Sequence, residues 1–407
     1  MWIRPTSRGW MVMASAFVAF LIALVNASLG VSILAAGCLA LAVSSFILAF
    51  FSLHRVTVER EPTSDGFMGG PVGLPVKVTN TARGYRQSLL LREDCPFAEG
   101  GVLMTLITPL APLEARSIRR PVTALRRGEY LLDRIILRGG DPAGLFYRER
   151  AYSFPQEIVI FPQITIVSDM GLHLRDRVMA SAMGQPIGIS GQGQDIYGVR
   201  EYRPTDGMRF IHWKVSARQN RLMVREFEEN IVNQISIFLD VNSSYVNSEP
   251  DCANFEYQIQ VAASITAHLA TMYFQFLFSA GDRSTGGQIS GPAQSARGEV
   301  MRMLANLRPQ PLSIVDQLSA NLDRIAPSSI LYCLTLHEPR GLDETFDALA
   351  AKNVDIRWIH APRSLFVHAQ AGSTEEAISR FATRRQSPVV PHIGSPAIGI
   401  DRLLSEA

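Results

Sequence analysis

The 45 residues from Gly9 to Leu53 contain no Asp, Glu, Lys, Arg or His, and this run constrains the fold more than any other feature. A helix that crosses a bilayer needs about 20 apolar residues. The run therefore holds two such helices with a short turn, best placed at its most polar point, Asn26-Ala27-Ser28-Leu29-Gly30. Helices are expected near residues 10–25 and 31–53. Arg4 and Arg8 precede the hairpin, Arg55 and Arg60 follow it, and the turn carries no positive charge. The positive-inside rule then puts both ends, and all the soluble mass, in the cytoplasm. The chain reads as a multi-pass protein of the cell (inner) membrane. A signal peptide ending near Ala27 is the rival reading, disfavoured because a second apolar segment follows at once. Cys38 is followed by fifteen more uncharged residues and reads as a lipid-embedded cysteine.

Composition excludes several classes. The net charge is +2, without the basic excess of a general nucleic-acid binder. Hydrophobic residues make up 47%, too many for wholesale disorder. The length of 407 residues leaves room for two or three domains. The four cysteines, Cys38, Cys95, Cys252 and Cys333, show neither zinc-ligand nor redox spacing.

Beyond the hairpin (residues 1–55), residues 56–165 read as a small antiparallel β-sandwich. Val72, Leu74, Val76 and Val78 alternate as one half-buried strand. Similar runs cover residues 88–92, 117–124, 130–138 and 157–161, and Gly139-Gly140-Asp141-Pro142 is turn chemistry. Residues 166–230 form a linker with a charged block. Its portion 181–195, rich in Gly, Gln and Ser, reads as a mobile loop. Residues 231–365 alternate apolar strands (235–240, 273–279, 329–336, 355–359) with helical spacing (255–270, 293–307, 312–324, 343–351). That alternation predicts a mainly parallel, doubly wound α/β sheet. A helix over 374–385 and a tail complete residues 366–407. The fold class is thus multidomain α/β plus β.

The charged block is the most unusual stretch. Residues 200–229 hold seven basic and five acidic side chains, threaded with Tyr202, Phe210, Trp213 and Phe227. Mixed charge with interleaved aromatics suggests a packed polar network or a surface that grips a partner. Ile211 and Val215 flank Trp213 as an apolar stripe, so Trp213 is expected to anchor in the core.

The block resembles the signature of the domain of unknown function 58 family. The matching residues are Arg200, Tyr202, Pro204, Asp206, Arg209, Ile211, His212, Trp213, Lys214, Ser216, Ala217, Arg218, Glu226, Phe227 and Glu228, with Thr205 where the family usually has Gly. The segment from Asp141 to Phe146 fits the same pattern. The resemblance implies a bacterial membrane protein with a von Willebrand factor type A-like C-terminal domain. It also implies a MoxR-type AAA+ ATPase and a transglutaminase-like membrane protein as partners, and it carries over no catalytic residue.

A metal-binding type A domain uses Asp-x-Ser-x-Ser after its first strand, an oxygen set suited to Mg²⁺. Here the position reads Asp240-Val241-Asn242-Ser243-Ser244, with Asn242 replacing the first Ser. His337 stands at the end of a later strand where an Asp is expected. Asp240, Asn242 and Ser244 thus form a degenerate metal site, and no cofactor is otherwise expected. A Ser-His-Asp set of Ser216, His212 and Asp206 can be written down, but no nucleophile elbow surrounds Ser216. The leading expectation is a membrane-anchored interaction protein. A hydrolase using Asp206, His212 and Ser216 is the alternative, and no nucleic-acid partner is expected.

Overall fold

The structure, a computed structural model, describes residues 3–26, 29–87, 89–167, 170, 190–202, 211–228, 234–247, 253–272, 274–281, 287–367, 389–396 and 398–406. The expected helix over 374–385 and Cys252 lie outside these residues. The chain divides into two compact units, Met1–Pro162 and Gln163–Ala407.

The first unit starts with β1 (Ile3–Pro5), then α1 (Ser7–Asn26) and α2 (Leu29–Ser52). Both helices are long and apolar enough to cross a membrane. Ala35, Ala42 and Ala49 recur every seven residues on the buried face of α2. Small side chains of this kind let helix backbones approach closely. The hairpin is tied to the strands that follow. Thr6 N–H donates to Leu145 O at 2.8 Å, Thr6 Oγ1 donates to Gly144 O at 2.7 Å, and Arg148 Nη1 donates to Phe50 O at 2.8 Å.

Ten more strands complete this unit: β2 (Val56–Arg60), β3 (Gly66–Phe67), β4 (Pro71–Gly73), β5 (Val76–Asn80), β6 (Leu89–Asp94), β7 (Val102–Ile107), β8 (Ala115–Ile118), β9 (Pro121–Thr123), β10 (Gly128–Gly140) and β11 (Phe146–Phe161). One sheet runs β1-β11-β10-β6-β7, with β3 also on β11; a second runs β2-β5-β8; β4 pairs with β9. The two larger sheets face each other. Val56, Val58, Val76 and Val78 pack against Leu89, Leu91, Ile135 and Leu137. The expected strand over 72–78 is in fact two, β4 and β5, in different sheets. Pro75 has no N–H to donate to a ladder, and its carbonyl accepts from Glu61 N–H at 3.2 Å. The expected strand over 117–124 breaks for the same reason, before Pro121, into β8 and β9. The Asp141 turn joins β10 to β11, and its Oδ1 accepts from Phe146 N–H at 2.7 Å.

The second unit contains β12 (Ser190–Glu201), α3 (Trp213–Gln219), β13 (Met223–Glu228), β14 (Gln234–Leu239), α4 (Ala253–Leu269), β15 (Gln275–Ser279), β16 (Gln288–Pro292), α5 (Ala293–Asn306), α6 (Ile314–Ser319), β17 (Ile330–Thr335), α7 (Leu342–Ala350), β18 (Asp355–His360), α8 (Ser364–Val367), β19 (His392–Ile393) and α9 (Ile400–Glu406). Six strands form one sheet in the order β16-β15-β14-β17-β18-β19. All neighbours in it are parallel except β16, which is antiparallel to β15. The chain builds outward from β14 to β15 and β16, returns to β17 on the other side of β14, and continues outward. Strands β14 and β17 are buried along almost their whole length, as expected where both faces are covered. Ile314, Leu318, Leu342, Phe346 and Leu349 of α6 and α7 pack on Phe238, Leu331, Cys333 and Trp358.

Two sequence expectations change here, and one strand was not expected. Ser190 to Asp195 belong to a strand rather than a mobile loop, because β12 pairs with β13 across a bulge. The helix expected over 312–324 stops at Ser319, and a separate 3₁₀ turn spans Leu322–Arg324. Gln288–Pro292 forms an edge strand that apolar patterning does not show, because its sequence is polar and ends in Gly-Pro.

Candidate functional site

Two neighbourhoods of the second unit hold the residues singled out by sequence. The first is the β12–β13 ribbon with α3. Ile211 bridges Val224, and His212 N–H donates to Met223 O at 2.7 Å, fixing the start of α3 on β13. Asn220 takes a left-handed conformation (φ 55°) and ends the helix. Tyr202 N–H then donates to Leu222 O at 2.8 Å, holding the end of the ribbon.

Ser216 is buried, and its hydroxyl is fully occupied. Ser216 Oγ accepts from Met223 N–H at 2.8 Å and donates to His212 O at 3.0 Å. It therefore bonds the backbone of His212 and not its ring. His212 Nδ1 is buried with no hydrogen-bond partner among the described residues. Asp206 and Arg209 lie outside the described residues, so Asp206 is not placed beside either. The strands include Arg200, Glu226, Phe227 and Glu228, but only the backbone of these four is described.

Trp213 is 66% exposed, which overturns its expected place in the core. Ile211 precedes α3 and is held by its bridge to Val224, whereas Trp213 opens the helix on its exposed first turn. Ile211, Met223 and Val224 form the buried base instead. The exposed side chains of α3 and the turn after it include Lys214, Arg218, Arg221 and Leu222 as well as Trp213. Arg221 Nη1 lies 2.5 Å from Glu201 Oε1, both well exposed, and such a pair contributes about 0–1 kcal/mol.

The second neighbourhood lies at the carboxyl ends of β14 and β17, where the strand order reverses. Open parallel sheets commonly bind ligands at such a point. Asp240 is fully buried there and caps both strand ends. Its Oδ1 accepts from Asn242 N–H at 3.0 Å, and its Oδ2 accepts from Leu336 N–H at 3.0 Å and lies 3.0 Å from His337 Nδ1. Asn242 Oδ1 accepts from Ser244 N–H at 3.1 Å. The His337 ring stacks on Tyr245 with centroids 3.6 Å apart. Asn242 and Ser244, expected to ligate a cation, thus belong to a tight turn that the Asn242 side chain closes, and Ser243 N–H donates to Gln310 O at 2.9 Å. Among the described residues no group of three His, Cys, Asp or Glu side chains is gathered where it could hold a metal ion. The sequence placed Asp240 and His337 at strand ends. It did not show the Tyr245 stack or the Gln310 bridge, which join residues far apart in the chain.

Below this end of the sheet is a buried polar network. Trp358 Nε1 donates to Thr335 Oγ1 at 2.8 Å, and Thr335 Oγ1 lies 2.9 Å from His360 Nδ1. With its oxygen accepting from Trp358, the Thr335 hydroxyl is free to donate to His360. Burial pushes the Tyr332 hydroxyl up to about 12 against the opposing pull of Arg357, whose Nη1 donates to it at 3.2 Å.

The uncharacterized protein YeaD of Bacillus subtilis (strain 168) is 26% identical over 146 residues, 34% of this chain and 32% of that relative. The chain therefore spans about a third of the length of the curated relative it matches. Among solved structures, a PapD-like domain of human CEP192 covers 27% of this chain and 87% of its own at 9% identity and a TM-score of 0.18. The DNA glycosylase AlkC of Pseudomonas fluorescens covers 34% of this chain and 42% of its own at 14% identity and a TM-score of 0.17. Neither shares enough of its fold to carry an argument. Residues 198–329, which include most of the ribbon, α3, the Asp240 turn and β14 to β16, match the family described as Protein of unknown function DUF58.

Proposed function

We propose that this chain is a membrane-anchored interaction protein whose α3 ribbon is a docking surface. The observation that carries the reading is Trp213, 66% exposed on a helix whose own anchoring is done by Ser216 and Ile211. A large exposed aromatic ring on a helix that also exposes Lys214 and Arg218 suits an interface hot spot, since Trp and Arg dominate such positions. The occupied hydroxyl of Ser216 weighs against the hydrolase alternative. The apolar hairpin is the anchor, the lipid bilayer is its partner, and the soluble units face the cytoplasm. The second unit is read as a von Willebrand factor type A-like domain. Support comes from its strand order, the antiparallel edge strand β16 and an Asp directly after β14. The partner suggested by resemblance is a MoxR-type AAA+ ATPase, with a transglutaminase-like membrane protein in the same assembly. No cofactor is required.

The test uses the detergent-solubilised full chain and a purified MoxR-type ATPase. Trp213→Ala should leave the unfolding midpoint unchanged and weaken binding by about 2 kcal/mol or more. Unchanged affinity would remove Trp213 from the interface, and undetectable binding by the wild type would remove the partner.

A further inference from the structure

The two apolar clusters of the sandwich are separated by a layer of charge. Three strand segments carry it in phase with their inward-facing residues. Leu89, Leu91, Glu93, Cys95 and Phe97 alternate along one. Val56, Val58 and Arg60 alternate along a second, and Ile118, Arg120, Val122 and Ala124 along a third. Residues before the charge belong to one cluster and residues after it to the other. The three charged side chains are 5%, 1% and 2% exposed for Arg60, Glu93 and Arg120.

Their charges do not balance. Arg60 Nη2 lies 2.5 Å from Glu93 Oε1, and Arg120 Nη2 donates to Glu93 Oε2 at 2.5 Å. Arg120 Nε donates to Leu74 O at 2.9 Å. One carboxylate thus faces two guanidinium ions. The nearest other titratable group inside the layer is Cys95, fully buried, whose thiol burial pushes up to about 12, so it stays neutral. Asp94 alternates to the outer face, beside Arg92. Among the described residues, Arg60 Nε and Nη1 and Arg120 Nη1 are buried without an acceptor, and the close approach of Arg60 Nη2 to Glu93 Oε1 is a charge contact without hydrogen-bond geometry. Arginine does not shed its proton in proteins. An unpaired buried cation is strongly disfavoured, and buried donors are almost always partnered.

We infer that the Arg60–Arg120 pair is a binding site for a small monovalent inorganic anion of halide size. Such an ion brings the layer to neutrality and supplies an acceptor to three guanidinium nitrogens. It would bind the folded state alone, because the unfolded chain does not bring residues 60 and 120 together.

Linkage makes this measurable. Above its dissociation constant, each tenfold rise in halide should raise the unfolding midpoint of the first unit by about 3–6 °C. The experiment follows thermal unfolding of the detergent-solubilised full chain in sodium chloride or bromide. Sodium gluconate holds the ionic strength fixed. The expected result is a midpoint that rises with halide in the wild type and is flat in Arg60→Met. Coincident halide and gluconate curves for the wild type would overturn the inference, as would a halide dependence that persists in Arg60→Met. Should that variant fail to fold, bromide-soaked wild-type crystals decide. An anomalous peak against Arg60 and Arg120 supports the site, and no peak there overturns it.

Discussion

Asp240 and His337 are 97 positions apart in sequence, yet Oδ2 of the one lies 3.0 Å from Nδ1 of the other. The same oxygen accepts from Leu336 N–H, so one buried carboxylate ties the end of β14 to the end of β17. A cation at this point would have to displace those partners and bind without the charge that a second carboxylate would bring. Titration of the full chain with Mg²⁺ or Mn²⁺ should show no micromolar binding by calorimetry. A micromolar dissociation constant abolished by Asp240→Ala would refute this. The same substitution should lower stability by about 2–3 kcal/mol, since it strands the buried Leu336 N–H and a strand-end turn.

Ser216→Ala should behave as a structural change. It removes the acceptor from Met223 N–H, a buried donor whose loss of partner costs about 1–3 kcal/mol. The check is the urea midpoint, which should fall. An unchanged midpoint together with loss of a hydrolytic activity seen in the wild type would favour the enzyme reading instead.

The strands and helices that read clearly in the sequence are those with one period throughout. The buried apolar run at 235–240 and the helical spacing at 255–270 fall within a residue or two of β14 and α4. Prolines redirected two of the others. Pro75 and Pro121 cut runs whose apolar phase continues unbroken, so alternation alone joined strands that belong to different sheets. The charge layer was visible in principle. Arg60, Glu93 and Arg120 each occupy the inward phase of an apolar alternation, a pattern that marks a buried charge when strand phase is followed through polar residues. Trp213 failed for a different reason. A tryptophan between two aliphatic residues looks like core, but Ile211 lies before the helix that Trp213 opens, so the three residues share no single face. The Tyr245–His337 stack leaves no local trace, because it is made by the return of β17 beside β14.

Alkaline unfolding should report the buried thiol and phenol. Burial raises Cys95 from 9.0 to about 12, Glu93 adding to the shift and the two arginines opposing it. Burial likewise raises Tyr332 from 10.0 to about 12. Both groups hold their protons longer in the folded state than in the unfolded one. The unfolded chain thus binds fewer protons above pH 9, and stability falls as pH rises. The contribution is complete below pH 9 and is lost as pH approaches 12. Urea midpoints measured from pH 8 to 11 should decline, and Cys95→Ala should decline less steeply. Equal slopes in the two proteins would show that Cys95 does not contribute.

The orientation of the hairpin can be tested against a feature the sequence alone did not show. Arg60 was one of four flanking cations expected to hold the hairpin ends in the cytoplasm. In the structure it is folded into the charge layer, leaving Arg4, Arg8 and Arg55 exposed at the helix ends. The rule acts as the segment inserts, before the sandwich forms, so all four charges count at that stage. Arg60→Met should then weaken the bias only slightly, while removing Arg4, Arg8 and Arg55 together should weaken it strongly. A C-terminal alkaline phosphatase fusion to the wild type should be inactive and a fluorescent protein fusion bright. The triple variant should gain phosphatase activity. High phosphatase activity from the wild-type fusion would reverse the orientation, and a triple variant indistinguishable from wild type would remove these arginines as its cause.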